Sequence, residues 1–264
     1  ITFNNHLSES EHFSRLLALS KNRGPDETKI ANILNKIRFG FNRLIVIDPS
    51  AHASQPMWSP SKRYLLVYNG EIYNHLKLRS ELPYRDFKGH GDTETLSACL
   101  DIWGLHKTVE KLDGMFAFGV WDAKNKEVFL VRDFAGIKPL YYGCNSNSLV
   151  FASQYNQVSR HEDFHNEPID KEILKLYLTQ HFIPPPFGLL NNTYSVQPGE
   201  IITFDLNGNK KCMSYWTFPE YNHHQNENIE ILNQVESELD SAVKAELLSD
   251  VPLGAFLSGG VDSP

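Results

Sequence analysis

Cysteine is scarce in this 264-residue chain: Cys99, Cys144 and Cys212 are scattered, odd in number and form no CxxC pair. That argues against a disulfide framework and against a thiolate zinc site, and it makes a reducing, cytoplasmic setting the default. Long apolar runs are missing as well. No stretch of about 18 consecutive apolar residues exists, so no membrane-spanning helix and no membrane partner is expected. The opening ITFNNHLSES has neither the basic nor the apolar region of a signal peptide. Excess positive charge is also lacking. The formal net charge is −7, which argues against a nucleic-acid partner. Internal repeats and low-complexity tracts are absent. Histidine is plentiful, and His161 and His165 share a helical spacing, but no partner completes a metal-ligand pattern around them.

What remains is an ordinary globular composition, 41% hydrophobic and 22% charged, long enough for one or two domains. Phe13, Leu16 and Leu17 give residues 10–21 a helical spacing, and NRGPDET then breaks the helix. IRFGFNRLIVID (37–48) and RYLLVYNG (63–70) are rich in β-branched and aromatic residues and predict strands. Helices are expected at 75–82 and 92–103, the second with Leu96, Cys99, Leu100 and Trp103 on one face. Two hairpins follow, MFAFGVWD with EVFLVRD around AKNK, and PLYYG with LVFASQ around CNSNS. A short helix is expected at 170–179, a stiff loop at FIPPPFG, and a strand within YSVQPGEIITFDLNG. PEYNHHQNEN (219–228) then reads as a polar linker. A long helix over 229–249 carries Leu232, Val235, Leu239, Val243 and Leu247 on one side, and VPLGAFLSGGVDSP closes the chain as a strand entering a turn.

In LSGGVDS, glycines allow backbone amides to converge on an anion, flanking serines add hydroxyl donors, and Asp262 suits a magnesium ion. The lysine-bearing GxxxxGK[ST] loop is absent. The bland reading is a Gly-Gly turn at a strand corner. Single residues elsewhere have bland readings too. Asp92 precedes a helical run and could be its N-cap, Asn69-Gly70 could be a turn, and Arg43 could sit in a surface ion pair.

Taken together the motifs say more. RGPD (23–26), NRLIVID (42–48), YNGEIYNH (68–75), GDTETL (91–96), LDGMFAFGVWD (112–122), RDFAGIKPLYY (132–142) and the terminal SGGVDS occur in an order and spacing that resembles the glutamine-hydrolysing asparagine synthetases. In that family a class II amidotransferase domain precedes an ATP-pyrophosphatase synthetase domain. The resemblance implies an α+β fold, the four-layer α/β/β/α sandwich of N-terminal-nucleophile hydrolases, followed by the start of an α/β nucleotide-binding domain. The expected division is glutaminase over 1–206, linker over 207–228, and the opening of the synthetase domain over 229–264. Asn69 and Gly70 would form the oxyanion hole. Arg43 would hold the glutamine α-carboxylate, Asp92 and Glu71 the α-ammonium, and backbone near Leu44 and Val46 would line the pocket. Leu257, Ser258, Gly259, Gly260, Asp262 and Ser263 would bind ATP, with Mg2+ on Asp262. Arg132, Asp133 and Gly136 would shape the fold.

Two departures stand out against the family. Its nucleophile is an N-terminal cysteine, whereas this chain opens on Ile1 and has no cysteine near its start, so a short piece bearing that cysteine is expected upstream. Gln154 stands where the family usually has glutamate. The expected function is glutamine hydrolysis to ammonia, coupled to adenylation and amidation of aspartate. Rivals are an amidotransferase acting on a sugar carboxylate in polysaccharide synthesis, a non-catalytic glutaminase-like binding module, and a lactam-forming synthetase. A homodimer is implied by the resemblance alone.

Overall fold

In the computed structural model, residues 1–3, 10–220 and 228–260 are described. In chain order the strands are β1 (Glu27–Ile33), β2 (Ile37–Arg43), β3 (Met57–Trp58), β4 (Tyr64–Ile72), β5 (Gly114–Asp122), β6 (Glu127–Arg132), β7 (Tyr141–Cys144), β8 (Leu149–Ala152), β9 (Thr193–Ser195), β10 (Glu200–Asp205) and β11 (Lys210–Ser214). The helices are α1 (Ser10–Ala18), α2 (His75–Glu81), α3 (Asp92–Trp103), α4 (Leu105–Lys111), α5 (Tyr155–Ser159), α6 (Lys171–Gln180) and α7 (Asn228–Ala245).

A six-stranded sheet in the order β11-β10-β6-β5-β4-β3 forms the centre, with every neighbouring pair antiparallel. Its inner strands are apolar on both faces because both faces are covered. Along β4 the side chains alternate. Tyr64, Leu66 and Tyr68 enter one core, where Leu78 of α2, Leu96 and Leu100 of α3 and Val109 of α4 meet them. Leu65 and Val67 enter the other, against Ile37 and Phe39 of β2, Tyr142 of β7 and Leu149 of β8. β5 repeats the division, with Phe116, Phe118 and Val120 on the helix side and Ala117 and Trp121 on the other. This period of two explains the continuous apolar runs in the sequence. A second layer, the β1-β2 hairpin and the β8-β7-β9 sheet, closes the lower core. Phe13 and Leu17 of α1 pack against Gly40 of β2, and α5 lies on β7 and β8. The result is the expected α/β/β/α sandwich.

Four local readings change. The strand expected over 37–48 ends at Arg43, and Leu44 is 57% exposed. Beyond Arg43 the backbone finds partners outside a ladder: the Ile45 N–H donates to the Asp26 carboxylate, and Asp48 is left-handed (φ 53°) just before Pro49. Second, β1 was not anticipated. Its turn puts Leu34 and Asn35 at φ 55° and 53°, a conformation that Leu34 does not advertise. Third, the strand expected in VPLGAFLSGG does not form, and Phe256 and Leu257 are exposed. No described strand lies beside it to complete a ladder. Lys210–Ser214, inside the segment read as linker, instead pairs with β10, and the Tyr215 hydroxyl donates to the Arg132 carbonyl at 2.8 Å.

The turn after β6 pins the two sheet layers together. The fully buried Asp133 carboxylate accepts backbone N–H bonds from Phe116 at 3.2 Å, Ile137 at 2.8 Å and Lys138 at 2.9 Å. Arg132 donates to the carbonyls of Val196 and Gly136, each at 2.7 Å. Burying such a carboxylate is tolerable only because these donors replace water. Asp133→Ala strands three donors and is expected to cost about 3 kcal/mol or more in urea unfolding. A loss below about 1 kcal/mol would remove this turn from the account.

Candidate active site

β4 is buried along its length except for Asn69, Gly70 and Glu71, which are half-buried. Here the strand borders a cavity of about 420 Å³ between the two sheet layers, also lined by Ile1, Arg43, Asp92, Lys138 and Ser153. Gly70 is required by close approach: a β-carbon there would stand 2.1 Å from the Met115 carbonyl oxygen of β5.

Arg43 ends β2 and is 6% exposed, which rules out a surface ion pair. Its guanidinium donates to the Ser50 carbonyl at 3.0 Å and to the Asp48 carbonyl. These carbonyls orient the group without cancelling its charge. The nearest carboxylate, Glu27, lies 3.7 Å away and is shared with Lys29 at 2.8 Å. A buried, incompletely compensated guanidinium is suited to an incoming carboxylate.

Asp92 opens α3 but caps nothing; the N-cap position is Gly91. Its carboxylate turns to β4, accepting the Tyr68 hydroxyl at 2.7 Å and the Ile72 N–H at 3.0 Å. The helix N-terminus favours its negative charge. Glu71 stands next to it. One Glu71 carboxyl oxygen is buried with no hydrogen-bond partner. Burial, then the Asp92 charge, push the Glu71 pKa up to about 7, against the opposing pull of Lys138. The carboxylate pair has only the half-buried Lys138 to offset it, and Arg43 only the 3.7 Å contact with a shared Glu27, so the two ends of the cavity keep opposite charge for a zwitterion.

The Asn69 side-chain amide donates to the Ser153 hydroxyl at 3.1 Å, which fixes its amide plane at the cavity wall beside Gly70. Leu44 and Val46 both border the cavity. The Val46 carbonyl, however, accepts the Asp250 N–H at 3.0 Å. The sequence reading thus brought Arg43, Asn69, Gly70, Glu71 and Asp92 to one place. It missed Lys138, half-buried with its pKa lowered by burial, and Ser153. Lys138 lay inside RDFAGIKPLYY, a motif read as purely architectural. Gln154 also lines the cavity, with a buried carboxamide oxygen that has no partner. No cysteine is among the described lining residues.

The residues assigned to ATP form no comparable pocket. Leu257–Gly260 are exposed, the Gly260 N–H donates to the Ser258 hydroxyl at 3.3 Å, and a β-carbon on Gly259 would meet nothing. Asp262 and Ser263 lie outside the described residues. Among the described residues no cluster suits a metal ion, and no helix is long and apolar enough to cross a membrane.

Comparison with known proteins identifies the family. Residues 1–216 match the profile of the family described as Glutamine amidotransferase domain, and residues 234–264 match Asparagine synthase. The chain is 32% identical to asparagine synthetase (glutamine-hydrolyzing) 1 of Bacillus subtilis, over 99% of this chain and 42% of that protein. It is 31% identical to asparagine synthetase (glutamine-hydrolyzing) of Cricetulus griseus, over 91% of this chain and 42% of the relative. The chain therefore spans about half the length of the relatives it matches, or less. Among solved structures it is similar to glutamine phosphoribosylpyrophosphate amidotransferase from B. subtilis, with a TM-score of 0.48 and 19% identity over 69% of this chain and 35% of that one.

Glu71 makes a pH-dependent contribution that can be measured. Its folded pKa of about 7 lies above the 4.5 of an unperturbed glutamate. As pH rises between these values the unfolded chain ionises first, so the native state loses stability there and levels off above about pH 7. Glu71→Gln removes that loss. Its melting temperature is expected to match the parent near pH 4 and exceed it near pH 8. Parallel pH profiles would show that Glu71 is not held neutral.

Proposed function

This chain belongs to the glutamine amidotransferase domain family, and on that footing we propose that its cavity binds glutamine for hydrolysis to glutamate and ammonia. The observation carrying this reading is the convergence of one buried cation and two carboxylates on a cavity roomy enough for an amino acid. Arg43 forks onto the α-carboxylate, and Asp92 and Glu71 take the α-ammonium. The Asn69 amide and the Gly70 N–H donate to the oxygen of the side-chain amide as it gains charge. A thiolate, its proton held on the same cysteine's α-amine, adds to the amide carbon; that amine passes the proton to the departing nitrogen, the tetrahedral adduct expels ammonia, and water cleaves the resulting thioester to release glutamate and the free thiol. That thiolate is assigned to an N-terminal cysteine upstream of Ile1, a residue that itself borders the cavity. N-terminal sequencing and intact mass of the natural protein test the assignment. A mature chain with no such cysteine leaves a binding module in place of a hydrolase.

The fuller reading is a glutamine-hydrolysing asparagine synthetase, in which ammonia attacks an aspartyl adenylate made with ATP and Mg2+. It is supported by the match over residues 234–264, by the names of the relatives, and by the exposed apolar side of α7, where Leu232, Val235, Leu239 and Val243 await a covering surface. The described part of the loop, Leu257–Gly260, does not build a phosphate cradle. Amidation of a sugar carboxylate would leave this first domain unchanged. A cytoplasmic, dimeric enzyme completes the proposal.

Calorimetry checks the cavity directly. Glutamine is expected to bind, and Arg43→Ala to weaken it about a hundredfold, the scale of a two-pronged charged contact. The bound ammonium lowers the Glu71 pKa, so binding near pH 7 releases protons and the measured heat varies with the buffer's ionisation enthalpy. Equal affinity for parent and Arg43→Ala would overturn the assignment.

A further inference from the structure

Asp250 lies far along the chain from the cavity residues, just before the Gly-rich loop, yet it makes three contacts with a single site in the first domain. Its carboxylate accepts the Asp48 N–H at 2.7 Å and meets the His90 ring nitrogen Nε2 at 2.7 Å. Its own N–H donates to the Val46 carbonyl at 3.0 Å. The two backbone contacts bracket Ile47 and clamp the turn that follows β2.

The clamped residue is a junction. Asp48 is 1% exposed and left-handed, a conformation that persists in a non-glycine residue only when its surroundings hold it. Its carbonyl accepts from Arg43, the cation of the cavity. Its carboxylate accepts the N–H groups of Ser50 at 3.1 Å, His90 at 2.9 Å and Gly91 at 3.1 Å, and the Ser50 hydroxyl at 2.6 Å. Gly91 is the N-cap of α3, directly before Asp92. One residue therefore touches the support of the Arg43 end of the cavity through its carbonyl, and the support of the Asp92 end through its carboxylate. Its remaining backbone group, the N–H, belongs to Asp250. Two carboxylates this close repel, and His90 offsets that: its bond to Asp250, with the Asp48 and Asp250 charges, raises its pKa, while desolvation and then Arg79 oppose.

We propose that Asp250 is a positioning residue for glutamine recognition, setting the Asp48 peptide and through it the spacing between the Arg43 guanidinium and the Asp92 carboxylate. This rests on the reading of the cavity as a glutamine site. Its consequence is a physical link between the segment carrying the Gly-rich loop and the first domain's substrate pocket. The link runs both ways. If docking of residues 249–251 tightens glutamine binding, glutamine must strengthen that docking by the same factor.

Two measurements on the 264-residue chain test this, glutamine calorimetry and amide hydrogen exchange over residues 246–252 with and without glutamine. Asp250→Ala is expected to weaken glutamine about tenfold, the effect of losing a charged acceptor that acts through one intermediary. Asp250→Asn keeps an acceptor for the Asp48 N–H and is expected to weaken it only about threefold. The Asp250 side chain is 40% exposed, so both variants should unfold at the parental temperature. Glutamine should slow exchange at 249–252 in the parent and not in Asp250→Ala. Parental affinity in Asp250→Ala, or exchange indifferent to glutamine in a parent that binds it, overturns the positioning role and leaves the cavity assignment standing. A parent that binds no glutamine overturns both.

Discussion

The structure depends on the central sheet being buried on both faces. Because β4, β5 and β6 have a core above and a core below, their side chains are apolar in both directions and their backbone has no access to water. Polar chemistry can then appear only where a strand leaves one of the cores. β4 does so once, at Asn69, Gly70 and Glu71, and the cavity is found there. Functional groups and rigid support thus come from the same strand. The pocket inherits the sheet's precision without needing a framework of its own.

The neighbouring glycines show how tight that support is. Gly70 of β4 and Gly114 of β5 each face the partner strand's backbone so closely that a β-carbon would collide with a carbonyl oxygen, Met115 in one case and Glu71 in the other. The two strands approach along the cavity wall, and the Asn69–Glu71 register against Met115–Ala117 leaves no slack to absorb a slip. Charge is distributed with similar economy. Arg43 is oriented by uncharged carbonyls and Asp92 by a hydroxyl and an amide, so each retains most of its field for whatever enters.

Much of this was legible in the sequence, for identifiable reasons. The double-sided burial of β4 to β6 writes itself as unbroken apolar runs, and the spacing of Leu96, Cys99, Leu100 and Trp103 marks α3 down to its last residue. Arg43, Asn69, Glu71 and Asp92 were each ambiguous alone. Their order relative to neighbouring motifs, compared with a known family, singled them out, and the bonds of Asp92 to Tyr68 and Ile72 then excluded a helix cap. The illegible parts were relations between distant positions. Nothing local marks Asp48 as a junction, and its partner Asp250 is 202 residues away. β1 stayed hidden because its turn places a leucine in a left-handed conformation. The last strand was overcalled because the apolar run ahead of Gly259-Gly260 says a segment could pair, and only the fold says whether a neighbour exists.

One margin of the molecule has a consequence of its own. β11 is the outermost strand of the sheet, every residue of it is exposed, and its free edge offers unpaired backbone groups to solution. Lys210 and Lys211 sit on that edge at successive positions. A second copy adding itself antiparallel to β11 would bring its own lysines alongside these, and like charges facing across a ladder repel. The central sheet is thus guarded against edge-to-edge aggregation by two lysines, of which Lys210 also reaches across to the Tyr142 hydroxyl at 3.4 Å and lies over the Tyr194 ring. Replacing the exposed Lys211 with an apolar residue would remove part of that protection against fibrillar growth without touching the Lys210 contacts.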